Sequence, residues 1–205
     1  MSVRSTSGAV AAGGGTKEAI REAAVKLFSN RGFDQTSLRE VADAVGITKA
    51  SLYYHYASKL DLLLAIIEPI FDDLQAVVDS AERLDYGPDA VREVFTRQLH
   101  TLLRHRTAGA LCVRDMVAIV NAIGNRLPDM VDMHRRLCSW LAGPDASDQA
   151  LLRASAAVEV LGTVLWSREL VPAAGDELIE RVLLDAALGV LAAGDEVGGR
   201  HARLG

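Results

Sequence analysis

The sequence predicts an all-α protein of about nine helices, with a three-helix head followed by a longer helical body. Three observations carry that expectation. Apolar residues recur at the i, i+3, i+4, i+7 spacing of a buried helical face through most of the chain. Half the residues are hydrophobic, only 5% are aromatic and five are proline, a balance that favours helices. Glycine and proline stand as punctuation at Gly32, Gly46, Gly87-Pro88, Gly143-Pro144, and Pro172 with Gly175. A chain of 205 residues can bury a substantial core, in one large or two small domains. The expected division is a tail over 1–15, a head over 16–60, a body over 61–194 and a second tail over 195–205.

Residues 1–15, rich in Ser, Gly and Ala and ending in Gly13-Gly14-Gly15, read as a disordered leader. Its apolar patch after Arg4 is too short and glycine-rich for a secretory signal. Thr16 is placed to cap the first helix, whose Ile20, Ala23, Ala24, Leu27 and Phe28 form one stripe. Gly32 ends it. Ser37 caps the second helix, and Glu40 three residues on completes a capping box. Leu38, Val41, Ala42 and Val45 give that helix its buried face. Gly46 stops it, Ile47 fills the corner, and Thr48 caps a third helix over about Lys49 to Tyr56. There Leu52 and Tyr56 point inward, while Ala50, Ser51, Tyr53 and Tyr54 fall on the outer side. Ser58 then caps a fourth helix that starts at Lys59.

Two aromatics aimed at water need a reason, and a helix-turn-helix supplies one. Its second helix enters the DNA major groove with N-terminal residues at the base edges. Thr48 and Lys49 have the chemistry for bases or phosphates; His55 turns nearer the inner side, which suits backbone contact or packing. Lys59, opening a helix, reads as a phosphate site. The candidate DNA contacts are therefore Thr48, Lys49, Ala50, Ser51, Tyr53, Tyr54, His55 and Lys59, with Thr36 and Ser37 at the start of the second helix. A plain helical corner with surface aromatics is the blander reading.

The whole string Gly46 to Leu63, GITKASLYYHYASKLDLL, resembles the most specific segment of the tetracycline-repressor (TetR) family of bacterial transcription regulators. Ala24, Leu27, Phe28, Gly32, Phe33, Thr36, Val41, Ala42 and Leu62 match it as well. The likeness covers about a quarter of the chain. It implies a DNA-binding head, a C-terminal helical ligand-binding and dimerisation domain, and a fourth helix that links the two. It also implies pairing through the last two long helices as a four-helix bundle. Charge is consistent: residues 1–60 carry eight Lys+Arg against five Asp+Glu, and residues 61–205 carry 14 against 22.

The body follows in order. The fourth helix contains Pro69, which removes a backbone hydrogen bond to Ala65 and predicts a kink. A fifth, opened by Gly87-Pro88, carries Val91, Phe95, Leu99, Leu102 and Leu103 to about His105. A sixth spans about Ala108 to Ile123. Pro128 opens a seventh with Leu127, Met130, Val131, His134, Leu137, Cys138 and Leu141 as one stripe. An eighth runs from about Ser147 to Arg168, apolar on more than one side, and a ninth from about Asp176 to Ala193. No apolar run reaches the roughly 18 charge-free residues of a membrane helix, and the expected location is the cytoplasm.

Polar groups on apolar faces make Met130, His134, Cys138, Glu159 and Trp166 the effector-pocket candidates. Each has an ordinary alternative: a satisfied core histidine, a Glu159 that pairs with Arg114 or faces solvent, plain packing for the rest. Leu161, Leu165, Ile179, Val182, Leu183, Ala186 and Val190 are the candidates for pairing with a second copy. The expected partners are an inverted-repeat DNA operator, a second copy and a small molecule. No metal or cofactor is expected. Cys112 and Cys138 lack any zinc or redox spacing, and no phosphate loop, nucleophile elbow or His-Glu-x-x-His occurs. An enzyme reading has no motif behind it; a protein-binding helical adaptor is the stronger alternative.

Overall fold

The computed structural model describes residues 14–124, 127–144 and 146–193. Every regular element among them is helical, and the chain divides into two compact units, Met1–Ile66 and Ile67–Gly205. The first contains α1 (Gly14–Arg31), α2 (Leu38–Val45), α3 (Lys49–His55) and the opening turns of α4 (Lys59–Ala81). Gly14 and Gly15 already belong to α1, so Thr16 lies inside its first turns and does not cap it. A glycine weakens a helix interior by roughly 1 kcal/mol, which the well-packed remainder of α1 outweighs. Residues 1–13 of the expected leader, with Arg4, and the expected tail over 195–205 lie outside the described residues.

Local chemistry closes each joint of the head. Gly32, at φ 94°, donates its N–H to the Phe28 carbonyl at 2.8 Å. Ser37 and Glu40 form the capping box: Ser37 Oγ accepts from the Glu40 N–H at 3.2 Å, and the Glu40 carboxylate accepts from the Ser37 N–H at 2.8 Å. Gly46, at φ 76°, ends α2 in the left-handed conformation, and the Ile47 N–H reaches back to the Ala42 carbonyl at 3.0 Å. Thr48 Oγ1 accepts from the Ser51 N–H at 3.1 Å, and Ser58 Oγ from the Asp61 N–H at 3.0 Å. Between the joints Ile20, Ala24, Phe28, Val41, Ala42 and Leu52 are fully buried. Phe33 packs edge-on against Phe28, ring centroids 5.2 Å apart.

The second unit holds the rest of α4, then α5 (Pro88–Arg104), α6 (Arg106–Arg114), α7 (Met116–Ile123), α8 (Leu127–Ala142), α9 (Asp148–Gly162), a 3-10 turn (Thr163–Trp166), α10 (Ser167–Leu170) and α11 (Asp176–Ala192). α9 packs against α8 and α11, and α11 against α5. Phe95, Leu99, Leu141, Ala154, Ala157 and Leu161 are fully buried at the centre of their shared core. Arg136 of α8 ties back to α4 through Asp79 (2.9 Å) and Glu82 (2.8 Å). Asp73 of α4 accepts from Arg104 at 2.9 Å and pairs with His105 at 2.8 Å. α4 continues through Pro69 as one element.

Two expected helices are interrupted. The sixth divides at Asp115, whose N–H ends α6 on the Leu111 carbonyl and whose carbonyl starts α7 by accepting from Ile119, both at 2.9 Å. Asp favours such local turns over a helix interior. The eighth tightens into the 3-10 turn after Gly162. The run Asp148–Leu170 is long and apolar enough, by composition, to cross a membrane. It carries Arg153 and Glu159, and its inner face builds the body's core.

Candidate nucleic-acid interface

In the structure, α3 keeps the orientation its spacing predicts. Leu52 and Tyr56 are buried, and Thr48, Lys49, Ala50, Tyr53 and Tyr54 are exposed. Tyr54 is 88% exposed and Tyr53 44%. Lys49 Nζ lies 5.4 Å from the Tyr53 ring centroid, so a cation and an aromatic share the outer face of one helix. Ser51 and His55 are half-buried, and His55 stacks edge-on against Tyr54 at 5.4 Å. Such a surface offers hydrogen-bond donors, a positive charge and flat apolar area together, which are the means of reading base edges and thymine methyls.

Lys59 is half-buried at the first turn of α4. Its ammonium donates to the Asp34 carbonyl at 3.3 Å and sits 4.2 Å from the Phe33 ring centroid. Ser37 is exposed but engaged in its capping box. Glu40 is held below the usual carboxylate range, first by the Ser37 backbone N–H, then by the Ser37 hydroxyl and by Arg31. Arg31 meets Glu40 at 2.7 Å. Thr36 is different: it is buried, and its hydroxyl donates to the Gly32 carbonyl at 2.9 Å. The side chain joins the end of α1 to the start of α2 and does not reach the surface.

The five effector-pocket candidates differ in burial. His134 Nε2 lies 3.4 Å from Cys138 Sγ and 3.2 Å from Ser155 Oγ, a half-buried polar cluster between α8 and α9. Met130 is half-buried, whereas Glu159 and Trp166 are exposed. Helical spacing correctly groups Leu152, Ala156, Glu159, Thr163 and Trp166 on one face, but that face turns outward. Val131 of the seventh-helix stripe is exposed too. Burial raises the thiol of Cys138 and pushes Cys112 up to about 11, so neither is an activated nucleophile.

The pairing candidates also divide. Leu161 and Ile179 are buried in the body's own core, Leu165, Leu183 and Val190 are half-buried, and Val182 and Ala186 are exposed. Sequence reasoning missed Leu170 and Leu178, exposed large apolar residues beside Val182. It also missed a cleft lined by Arg106, Ser167, Arg168 and Ile179, whose members are scattered over some seventy positions without a shared motif.

The head, with its capped turn and outward α3, defines a helix-turn-helix DNA-binding domain on an all-helical body. Residues 20–66 match the family described as bacterial regulatory proteins, tetR family. That match lies within the first unit and spans 47 of the chain's 205 residues. The biofilm operon icaADBC HTH-type negative transcriptional regulator IcaR of Staphylococcus aureus is 37% identical over 76 residues, which are 37% of this chain and 41% of that protein. The chain thus matches less than half the length of that relative. Among solved structures, the TetR-family regulator PfmR of Thermus thermophilus superposes with a TM-score of 0.68 at 21% identity, covering 82% of this chain and 96% of PfmR. AibR, solved in complex with isovaleryl coenzyme A and operator DNA, gives a TM-score of 0.60 at 25% identity, covering 86% of this chain and 97% of that one.

Proposed function

We propose that the protein is a DNA-binding transcriptional regulator, a homodimeric repressor that leaves its operator when a small molecule binds the body. The outward face of α3 carries the reading: Lys49, Tyr53 and Tyr54 are exposed on a short helix fixed by caps at both joints before it. IcaR's designation as a negative regulator supports the sign, and AibR's complex supports an effector acting on the same fold.

Self-pairing rests on an exposed apolar face. Leu152, Trp166 and Leu170 from the run 148–170 and Leu178 and Val182 of α11 all lie open. Leu170, Leu178 and Val182 line one groove; exposed apolar surface of this kind is normally covered by a partner, and two-fold pairing of two heads demands an inverted-repeat operator. Selection of bound DNA from a random pool tests the reading. A palindromic motif is expected; recovery of no motif would overturn it.

A further inference from the structure

The cleft of about 470 Å³ between α6, α10 and α11 has chemistry that the head's function does not use. Its polar end is Arg106, Ser167 and Arg168; its walls are Val171, Pro172, Ala174 and Ile179. The Arg106 side chain is only 11% exposed, and its Nε is buried with no hydrogen-bond partner. A buried cationic N–H without an acceptor is costly, so such groups are normally satisfied. What Arg106 does hold is a carboxylate: Nη1 donates to Asp176 Oδ1 at 2.9 Å and lies 3.4 Å from Ser167 Oγ. Asp176 itself is 63% exposed at the first turn of α11. The carboxylate seated on this guanidinium is therefore one that can turn out to water.

An apolar groove of about 280 Å³ adjoins the cleft and shares Ser167, Val171, Ala174 and Ile179 with it. Thr163, Leu170, Leu178, Val182 and Leu183 complete the groove. Cationic head and aliphatic trough are thus continuous. We infer that this site takes an amphipathic small molecule by its oxyanion, carboxylate or phosphate, on Arg106 and Arg168, in exchange for the chain's own Asp176. The aliphatic part lies in the groove. Guanidinium matches both oxyanions in a bidentate fork, and the apolar wall supplies burial for the tail. Leu170, Leu178 and Val182 also belong to the face proposed for self-pairing, so a second copy would seal the tail from water. The inference names the ligand class of the effector proposed above and rests on that reading.

Calorimetric titration of the full chain, without DNA, tests it with octanoate, octyl phosphate and octan-1-ol. At least one anion should bind at least tenfold more tightly than the alcohol, and the tighter of the two identifies the head group. Arg106→Gln should weaken the anions tenfold or more and leave the alcohol unchanged, and Arg168→Gln should weaken them severalfold. Asp176→Asn should tighten the anions severalfold, because it removes the internal competitor; a merely structural ion pair predicts no such gain. Should Arg106→Gln fail to fold, Arg168→Gln and Asp176→Asn decide. Equal binding of anions and alcohol, absence of anion binding, or weaker binding by Asp176→Asn would overturn the inference. If a palindromic motif is recovered while no anion binds, only this inference falls; if anions bind and no motif is found, the regulator reading falls instead.

Discussion

Head and body are stabilised by different means. The head has a small core, with Ile20, Ala24, Phe28, Val41, Ala42, Leu52, Leu62 and Leu63 fully buried from four helices, and a side-chain or glycine cap at each junction. The body has a broad core from α4, α5, α8, α9 and α11, and polar contacts that join elements far apart in sequence: ion pairs of Arg136 with Asp79 and Glu82 and of Arg104 with Asp73, and a hydrogen bond between His105 and Asp73. Short-range bonds orient α3, whereas the body's cleft arises where elements distant in sequence meet. The same division separates the surface proposed to read DNA from the one proposed to take a ligand.

Phe28 and Phe95, both fully buried, offer the sharpest probe of this contrast, one in each unit. Replacing either with Ala should cost about 3–5 kcal/mol. Both tryptophans, Trp140 and Trp166, lie in the body. Phe95→Ala should therefore lower the denaturation midpoint seen by tryptophan emission, while Phe28→Ala should lower only the helical signal by circular dichroism and abolish DNA binding. A shift of both signals by both variants would show that the units unfold together.

Acid should separate the units next. Asp73 is held below its ordinary 3.8, chiefly by the His105 hydrogen bond and then by Arg104; Asp79 and Glu82 are lowered chiefly by Arg136. In the head, Glu40 is lowered from 4.5. A depressed folded-state value means stability that is fully present above about pH 5 and lost as pH falls below the ordinary values. With three such carboxylates in the body, tryptophan emission should show an acid transition, and Arg136→Met should move it to higher pH. An unmoved transition would remove those pairs from the account.

A smaller effect is expected at the head's cap. Ser37→Ala removes the hydroxyl half of the capping box and should cost about 1 kcal/mol, with thermal melting of the helical signal as the measure. Smallest is the division of roles among lysines. Lys59→Ala should lower the salt slope of DNA binding by about one. Lys49→Ala and Tyr53→Ala should instead change preference among operator variants, and Tyr54→Ala should reduce affinity. Identical salt slopes and uniform losses for Lys49→Ala and Lys59→Ala would erase the distinction between base and phosphate contact.

The head was legible in the sequence because its determinants are local. Ser37 with Glu40, Gly46, and Thr48 with Ser51 act within three or four residues, and each does what its spacing implies. Thr36 shows the limit: its type suggested a surface donor, but burial against the end of α1 turns the hydroxyl inward. In the body, periodicity found which residues share a face but not where the face points. Glu159 and Trp166 lie outward for that reason, and Leu161 and Ile179 belong to the body's own core. The junctions at Asp115 and Gly162 interrupt runs whose apolar spacing continues across them, so that spacing alone does not mark them. The cleft at Arg106 was invisible because α6, α10 and α11 meet only in three dimensions.

Lys59 has a last consequence. Its ammonium is held between the Asp34 carbonyl and the Phe33 ring before any partner arrives. A free lysine side chain gives up about 2 kcal/mol of rotamer freedom when it is fixed. Here much of that loss falls on folding. The charge waits in place, so the proposed contact with an anionic surface at this point would need less ordering, and substitutions that loosen the Phe33 ring should weaken it while leaving the lysine itself unchanged.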